Sequence, residues 1–296
     1  MKYGLFMGCT IPVRATHYEL SARRILERLG IEVSDIEGFS CCGFPLKSVD
    51  THTAELIAAR NLACASKEEM GICTLCSACT SMLTETALRL EEPDTKEKVN
   101  GALSEFGLQY EKPVKIRHFA RLIVEEAGSE KIGSLVTRPL KGLRLAVHYG
   151  CHFTKPSEIY EGFDSAEIPR TIDGILALTG AETIAYSRKT SCCGGSLLGI
   201  NEQIALSMAH GKLHDLKESG VDALVLVCPF CSVMYDDSQK KIETQFSEAY
   251  NLPVLYLSQV LGLAMGVEDK DLGFRLNKVS VQPLLEKISL RDAERR

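Results

Sequence analysis

Residues 70–79 read Met70-Gly71-Ile72-Cys73-Thr74-Leu75-Cys76-Ser77-Ala78-Cys79, and residues 223–231 read Ala223-Leu224-Val225-Leu226-Val227-Cys228-Pro229-Phe230-Cys231. In each stretch a short apolar run meets a Cys-x2-Cys pair. The runs Met70 to Leu75 and Ala223 to Val227 have the length and composition of buried strands. The sequence after Cys79 and Cys231 turns helical in pattern. A strand feeding a helix, found twice, points to a parallel sheet with crossover helices.

Working outward, the same alternation fills the chain. Strands are expected at Tyr3 to Met7, Ile31 to Ile36, Val114 to Ile116, Leu143 to His148, Glu182 to Ala185 and Val254 to Leu257. Helices are expected at Tyr18 to Leu29, Ala54 to Cys64, Asp94 to Phe106, Phe119 to Glu126, Arg170 to Leu178, Ile204 to Leu216, Met234 to Phe246 and Gln259 to Met265. The polar stretch 128–142, with Pro139, reads as a linker between a first domain (1–130) and a second (143–296). The expected fold is α/β: two duplicated Rossmann-like halves, each a parallel sheet flanked by helices, related by pseudo-two-fold symmetry.

The duplication is carried by cysteines. Gly8-Cys9 matches Gly150-Cys151, and Ser40-Cys41-Cys42-Gly43 matches Ser191-Cys192-Cys193-Gly194. Cys76 and Cys79 match Cys228 and Cys231, with Met82 and Met234 next in register. The spacings are C-x31-CC-x33-C-x2-C and C-x40-CC-x34-C-x2-C. Ten of the twelve cysteines therefore fall into two sets of five. Cys9, Cys76, Cys151 and Cys228 follow strands, where open α/β sheets bind ligands. Neighbouring glycines allow backbone to approach a bulky group. Helix N-termini after the Cys-x2-Cys pairs suit an anionic one. Five thiolates exceed the four that zinc takes, whereas iron–sulfur clusters are thiolate-bound. Buried structural cysteine and a zinc-structured scaffold remain the plainer alternatives. Cys73 aligns with Val225 and Cys64 has no counterpart, so both read as core or near-cluster residues.

The bulk numbers narrow the function. The net charge is −5 with no basic stripe, which argues against nucleic-acid or membrane-surface binding. The apolar runs are too short to cross a bilayer. Met1-Lys2-Tyr3-Gly4-Leu5-Phe6 runs straight into a cysteine motif without a signal-peptide core. A cytoplasmic protein is expected, where cysteines serve as metal ligands more often than as disulfides. Gly194 to Gly199 is glycine-rich but does not make a dinucleotide fingerprint.

With these residues the sequence resembles the CCG-domain proteins, above all the B subunit of heterodisulfide reductase. The resemblance includes Phe6-Met7-Gly8-Cys9, both Cys-Cys-Gly boxes, His148-Tyr149-Gly150-Cys151-His152, Leu261 to Gly266 and Pro283-Leu284-Leu285. It implies two noncubane 4Fe-4S clusters: one on Cys9, Cys41, Cys42, Cys76 and Cys79, the other on Cys151, Cys192, Cys193, Cys228 and Cys231. It implies reduction of the coenzyme M–coenzyme B disulfide (CoM-S-S-CoB) to two thiols between those clusters. The implied partners are a ferredoxin-like 4Fe-4S subunit (the C type) and a flavin-containing A subunit. Two other outcomes stay open: a heterodisulfide reductase-like subunit of a sulfur-metabolism complex, and a CCG-type electron relay for another dehydrogenase.

Beside the cysteines, His148 and His152 are candidate catalytic residues, as proton donors to thiolates or as hydrogen-bond support for cluster sulfurs. Arg14, Arg188 and Lys189 are candidates for binding an anionic substrate group, with solvated surface charge as the plainer reading. His17 and His52 read as surface. Val281, Leu284, Leu285 and Ile288 form a C-terminal apolar stripe that packs on the chain's own core or docks a partner.

Overall fold

The computed structural model describes residues 2–294. The first half runs β1 (Tyr3–Phe6), α1 (Ile11–Arg14), α2 (Thr16–Arg28), β2 (Val33–Ser34), α3 (Thr51–Lys67), β3 (Gly71–Thr74), α4 (Ser77–Arg89), α5 (Pro93–Ser104), β4 (Ile116–His118), α6 (Phe119–Glu126) and α7 (Gly128–Ser134). The second runs β5 (Arg144–His148), α8 (Thr171–Leu178), β6 (Glu182–Ile184), α9 (Glu202–Glu218), β7 (Ala223–Leu226), α10 (Pro229–Ser232), α11 (Gln239–Phe246), β8 (Val254–Tyr256), α12 (Leu257–Ala264), α13 (Asp269–Leu272) and α14 (Gln282–Glu294). Each half builds a four-stranded parallel sheet, ordered β2-β1-β3-β4 and β6-β5-β7-β8. The central strands β1, β3 and β7 are buried along their whole length. That is why they read as unbroken apolar runs rather than alternating ones.

The α/β class and its two similar halves follow the sequence reading; several boundaries do not. β2 keeps two residues of the expected six, because only Val33 and Ser34 pair with β1. β4 starts at Ile116 and reaches His118, two residues late. The helices expected after Cys79 and Cys231 begin earlier, at Ser77 and Pro229, so Cys76 and Cys228 are their N-caps. The helix expected over Met234 to Phe246 is broken by a π turn at Val233–Asp237. The stretch 128–142 opens with α7, and its Thr137 and Arg138 amides donate to Ala264 O. His17 is buried (2 % exposed), against the surface reading, while His52 is exposed. Val281, Leu284 and Ile288 pack on the core.

One apolar core runs through both sheets. At the seam α2 lies on α12, with the Tyr18 ring stacked on Tyr256 at 3.9 Å. Ser21 Oγ and Ser258 Oγ share a 2.7 Å hydrogen bond. Val227 O, one residue before Cys228, accepts from Tyr18 Oη at 3.2 Å and pairs with His118 Nε2 at 2.9 Å. His118 Nδ1 accepts from Ala120 N, so its Nε2 carries the proton given to Val227 O. The first half thereby fixes the end of the second half's central strand.

The Cys-Cys-Gly loops are built alike. Gly43 and Gly194 hold φ of +86° and +82°, and a Cβ there would meet Ala54 O at 2.3 Å or Ala205 O at 2.8 Å. Asp50 and Asn201 cap α3 and α9 through the amides of Thr53 and Ile204. Only glycine satisfies both the backbone conformation and the contact.

Two outcomes follow from this packing. Gly43→Ala should cost about 1–3 kcal/mol from left-handed backbone strain alone. Gly101→Ala, at an open position in α5, should instead stabilise by about 0.5–1 kcal/mol; denaturant midpoints of the two variants test the contrast. Burial holds the His17 and His118 imidazoles down near pKa 4, while in the unfolded chain they titrate at about 6.5. Their contribution is complete above about pH 6.5 and lost as pH falls toward about 4, because the unfolded chain takes up the protons first. His17→Phe should flatten the pH dependence of unfolding free energy in that window by up to about 1.4 kcal/mol per pH unit. An unchanged slope would contradict the assignment.

Candidate metal centre

The loops after β1, β3, β5 and β7, together with the two Cys-Cys-Gly loops, deliver ten cysteines to one region. Cys76 and Cys228 sit in extended backbone at the starts of α4 and α10 (φ −136°, ψ 123° and φ −135°, ψ 125°). Cys79 and Cys231 occupy the first turn of each helix, where free amides favour an anionic partner. The amides of Gly43, Gly194 and Gly195 donate to the sulfurs of Cys41, Cys192 and Cys193 at 3.3–3.4 Å. A Cβ on Gly8 would stand 3.0 Å from Cys79 Sγ, and one on Gly150 3.6 Å from Cys231 Sγ. These glycines let the strand-end loops lie against the sulfurs.

The thiols form a continuous string. Cys41 neighbours Cys42, Cys42 neighbours Cys79, and Cys79 neighbours Cys76. Cys76 Sγ lies 3.9 Å from Cys228 Sγ across the seam. Cys228 then neighbours Cys231, Cys231 Sγ donates to Cys193 Sγ at 3.5 Å, Cys193 neighbours Cys192, and Cys192 neighbours Cys151. Cys9, exposed, closes the first set beside Cys41.

Within hydrogen-bonded neighbours, ionisation of one thiol opposes that of the next. Hydrogen bonds from Cys41 to Cys42, from Cys151 to Cys192 and from Cys231 to Cys228 push Cys42, Cys192 and Cys228 well below the ordinary thiol range. A hydrogen bond to a neighbouring thiolate, with burial and like charge added, pushes Cys41, Cys76, Cys79, Cys151, Cys193 and Cys231 upward. Ten thiolates need cationic compensation, which bound metal supplies. A sulfur-only donor set at strand ends and helix N-termini fits soft metal, and iron–sulfur clusters specifically.

The histidines part company. His148 is buried, with Nε2 at 3.2 Å from Cys231 Sγ and Nδ1 at 2.7 Å from Lys212 Nζ. With Cys193 and Cys231 it makes a group whose ligand atoms lie within 4.8 Å of one another. His152 is half-buried, edge-on to Phe44 of the first half at 4.8 Å. Its Nδ1 is buried without a hydrogen-bond partner. The three cations named as anion binders are paired with carboxylates: Arg14 with Asp237 at 3.6 Å, Arg188 with Asp215 at 2.5 Å, and Lys189 with Asp173 at 2.6 Å. Cys64 and Cys73 are buried, Cys73 within β3. A cleft of about 720 Å³ runs beside β4, between Thr80, Arg117, His118, Arg121 and Tyr160; none of the ten cysteines lines it.

Two residues of this site went unread in the sequence. Asn61 in α3 accepts from Ser40 N at 2.8 Å and donates to Cys41 O at 2.9 Å. Lys212 in α9 occupies the matching place and donates to Ser191 O at 3.0 Å.

The profile of the cysteine-rich (CCG) domain matches residues 3–84 and 145–236. The chain is 35% identical over 97% of both lengths to the B subunit of the Ferredoxin:CoB-CoM heterodisulfide reductase of Methanosarcina mazei. It is 34% identical, with the same coverage, to the B subunit of the Ferredoxin/F(420)H(2)-dependent CoB-CoM heterodisulfide reductase of Methanosarcina acetivorans. The 8-methylmenaquinol:fumarate reductase membrane anchor subunit of Wolinella succinogenes is 30% identical over 96% of this chain and 99% of its own. Among the described residues no helix is long and apolar enough to cross a membrane. A crystal structure of a hypothetical protein from Helicobacter pylori shares the fold, with a TM-score of 0.76 at 19% identity over 95% of this chain; the chain spans 52% of that longer one. Repeat, sulfur geometry and similarity agree: the chain belongs to the cysteine-rich CCG-domain family and, within it, to the family of heterodisulfide reductase B subunits.

Proposed function

We propose that the chain is the disulfide-reducing subunit of a heterodisulfide reductase complex, converting CoM-S-S-CoB to two thiols at two noncubane 4Fe-4S clusters. The observation that carries this reading is the seam, where Cys76 and Cys228, one from each set of five, approach to 3.9 Å. In this reading Cys9, Cys41, Cys42, Cys76 and Cys79 hold the first cluster, and Cys151, Cys192, Cys193, Cys228 and Cys231 the second. The bound clusters supply electrons one at a time.

Reducing one disulfide consumes two electrons and two protons and yields two thiols. The chain's part is to bring both electron sources to one S–S bond and to hold the nascent thiolates. Strand ends β3 and β7 do the first, since they fix Cys76 and Cys228 side by side. His152 serves the second. Its Nδ1 lacks a partner, and its ring joins Phe44 of one half to the cysteine loop of the other. Arg14, Arg188 and Lys189 each face a carboxylate, which competes with a substrate's anionic groups for them. The partners in this reading are a ferredoxin-like 4Fe-4S subunit and a flavin-containing A subunit, which deliver the electrons.

A second reading, an electron relay without disulfide chemistry, is favoured by the similarity to the Wolinella succinogenes fumarate reductase subunit. One experiment separates the two. The chain, purified anaerobically with about eight irons as two four-iron clusters require, is reduced, freed of reductant and mixed with CoM-S-S-CoB. Release of two thiols per disulfide, with matching oxidation of the protein, supports the reductase. Oxidation by a dye but not by the disulfide identifies the relay.

A further inference from the structure

The two cysteine sets sit in almost superposable scaffolds, but their second layers differ. Helices α3 and α9 are both 17 residues long and stand 151 positions apart, as do Cys41 and Cys192. Asn61 therefore corresponds to Lys212. Likewise Phe6, paired with Thr74 at the end of β1, corresponds to His148, paired with Leu226 at the end of β5. The first half places a neutral amide and a phenyl ring where the second places an amine and an imidazole.

Lys212 is fully buried. Its Nζ has three acceptors: His148 Nδ1 at 2.7 Å, Ser191 O at 3.0 Å and Lys189 O at 3.5 Å. Three acceptors match the three donors of an ammonium. The Tyr186 and Tyr235 rings flank it at 5.7 and 5.8 Å, and ring faces favour a cation. Because His148 Nδ1 accepts from Lys212, its proton resides on Nε2, which faces Cys231 Sγ at 3.2 Å. Lys212 thus sets the tautomer that makes His148 a donor to a cluster cysteine. Arg188 and Lys189, the nearby cations, are neutralised by Asp215 and Asp173. On the other side Phe6 offers no donor to Cys79, and Arg60 donates instead to Gly38 O and Ser40 Oγ.

We infer that Lys212, acting through His148 on Cys231, makes the two centres inequivalent: the second-half cluster is the more easily reduced of the pair and draws the electron toward its side of the seam. The inference rests on the two-cluster reading above. A buried positive charge and an N–H donor at a ligand sulfur both stabilise the more negative, reduced state. Lys212 is a positioning residue; it touches no ligand sulfur in its own hydrogen bonds.

The test is a spectroscopically monitored redox titration of the full, iron-loaded chain. The unmodified protein should show two separated one-electron transitions. Lys212→Met should lower one of them at least tenfold in its reduction equilibrium, 59 mV for one electron, and leave the other within twofold. His148→Phe should shift the same transition in the same direction, and Lys212→Arg should restore it. Equal movement of both transitions, or of neither, at full iron content overturns the inference. The unmodified chain also decides the matter without any variant. Coincident transitions overturn it, and so does a strong nitrogen coupling in spin-echo spectra showing His148 bound directly to iron. A chain that binds no pair of four-iron clusters fails the parent reading instead, and iron analysis reveals that before any titration.

Discussion

Ten thiols meeting at one seam cannot all ionise without positive charge among them, and the rest of the structure is arranged around that constraint. The two parallel sheets bring four strand ends together. Glycine loops let backbone lie against sulfur, and helix N-termini turn their free amides toward the anionic side. The contacts at Val227 O, from Tyr18 and His118, lock the halves in register so that Cys76 and Cys228 face each other. Soft metal clusters give the sulfurs the compensation that hydrogen bonding among themselves gives only in alternation.

Duplication supplies the scaffold, and divergence within it supplies the chemistry. Bulk is redistributed between the copies. Phe44 follows the first Cys-Cys-Gly box where Gly195 follows the second, and Phe230 stands in the second Cys-x2-Cys pair where Ala78 stands in the first. A Cβ on Gly195 would meet the Phe230 ring at 2.6 Å, so the two aromatic choices are alternatives within one packing site. Charge is redistributed as well, through Asn61 against Lys212 and Phe6 against His148. Two copies with the same five cysteines are thereby given different surroundings.

Much of this was legible in the sequence because its signals are local. Buried parallel strands announce themselves as apolar runs, and paired cysteine motifs fix the repeat. Cys73 aligns with Val225, and both are buried at matching places in β3 and β7. What escaped depends on tertiary packing. β2 shrank because pairing with β1 lasts two residues. His17 follows a cysteine box and lies in the first turn of α2, yet Tyr256 from the other half covers it. Lys212 carried a signal in hindsight. It lies on the apolar face of α9 with Ala205, Leu206, Ala209, Leu213 and Leu216, a place where lysine is costly unless something holds it. The 3.9 Å approach of Cys76 to Cys228 had no sequence signal, since it joins residues 152 positions apart.

In the proposed function the ten cysteines form two five-sulfur metal sites that meet at the seam. An iron-edge anomalous diffraction map from anaerobically grown crystals tests it most directly. Two separate groups of iron are expected, one against Cys9, Cys41, Cys42, Cys76 and Cys79 and the other against Cys151, Cys192, Cys193, Cys228 and Cys231, nearest each other beside Cys76 and Cys228. A single group, iron held away from these cysteines, or zinc in their place would contradict it.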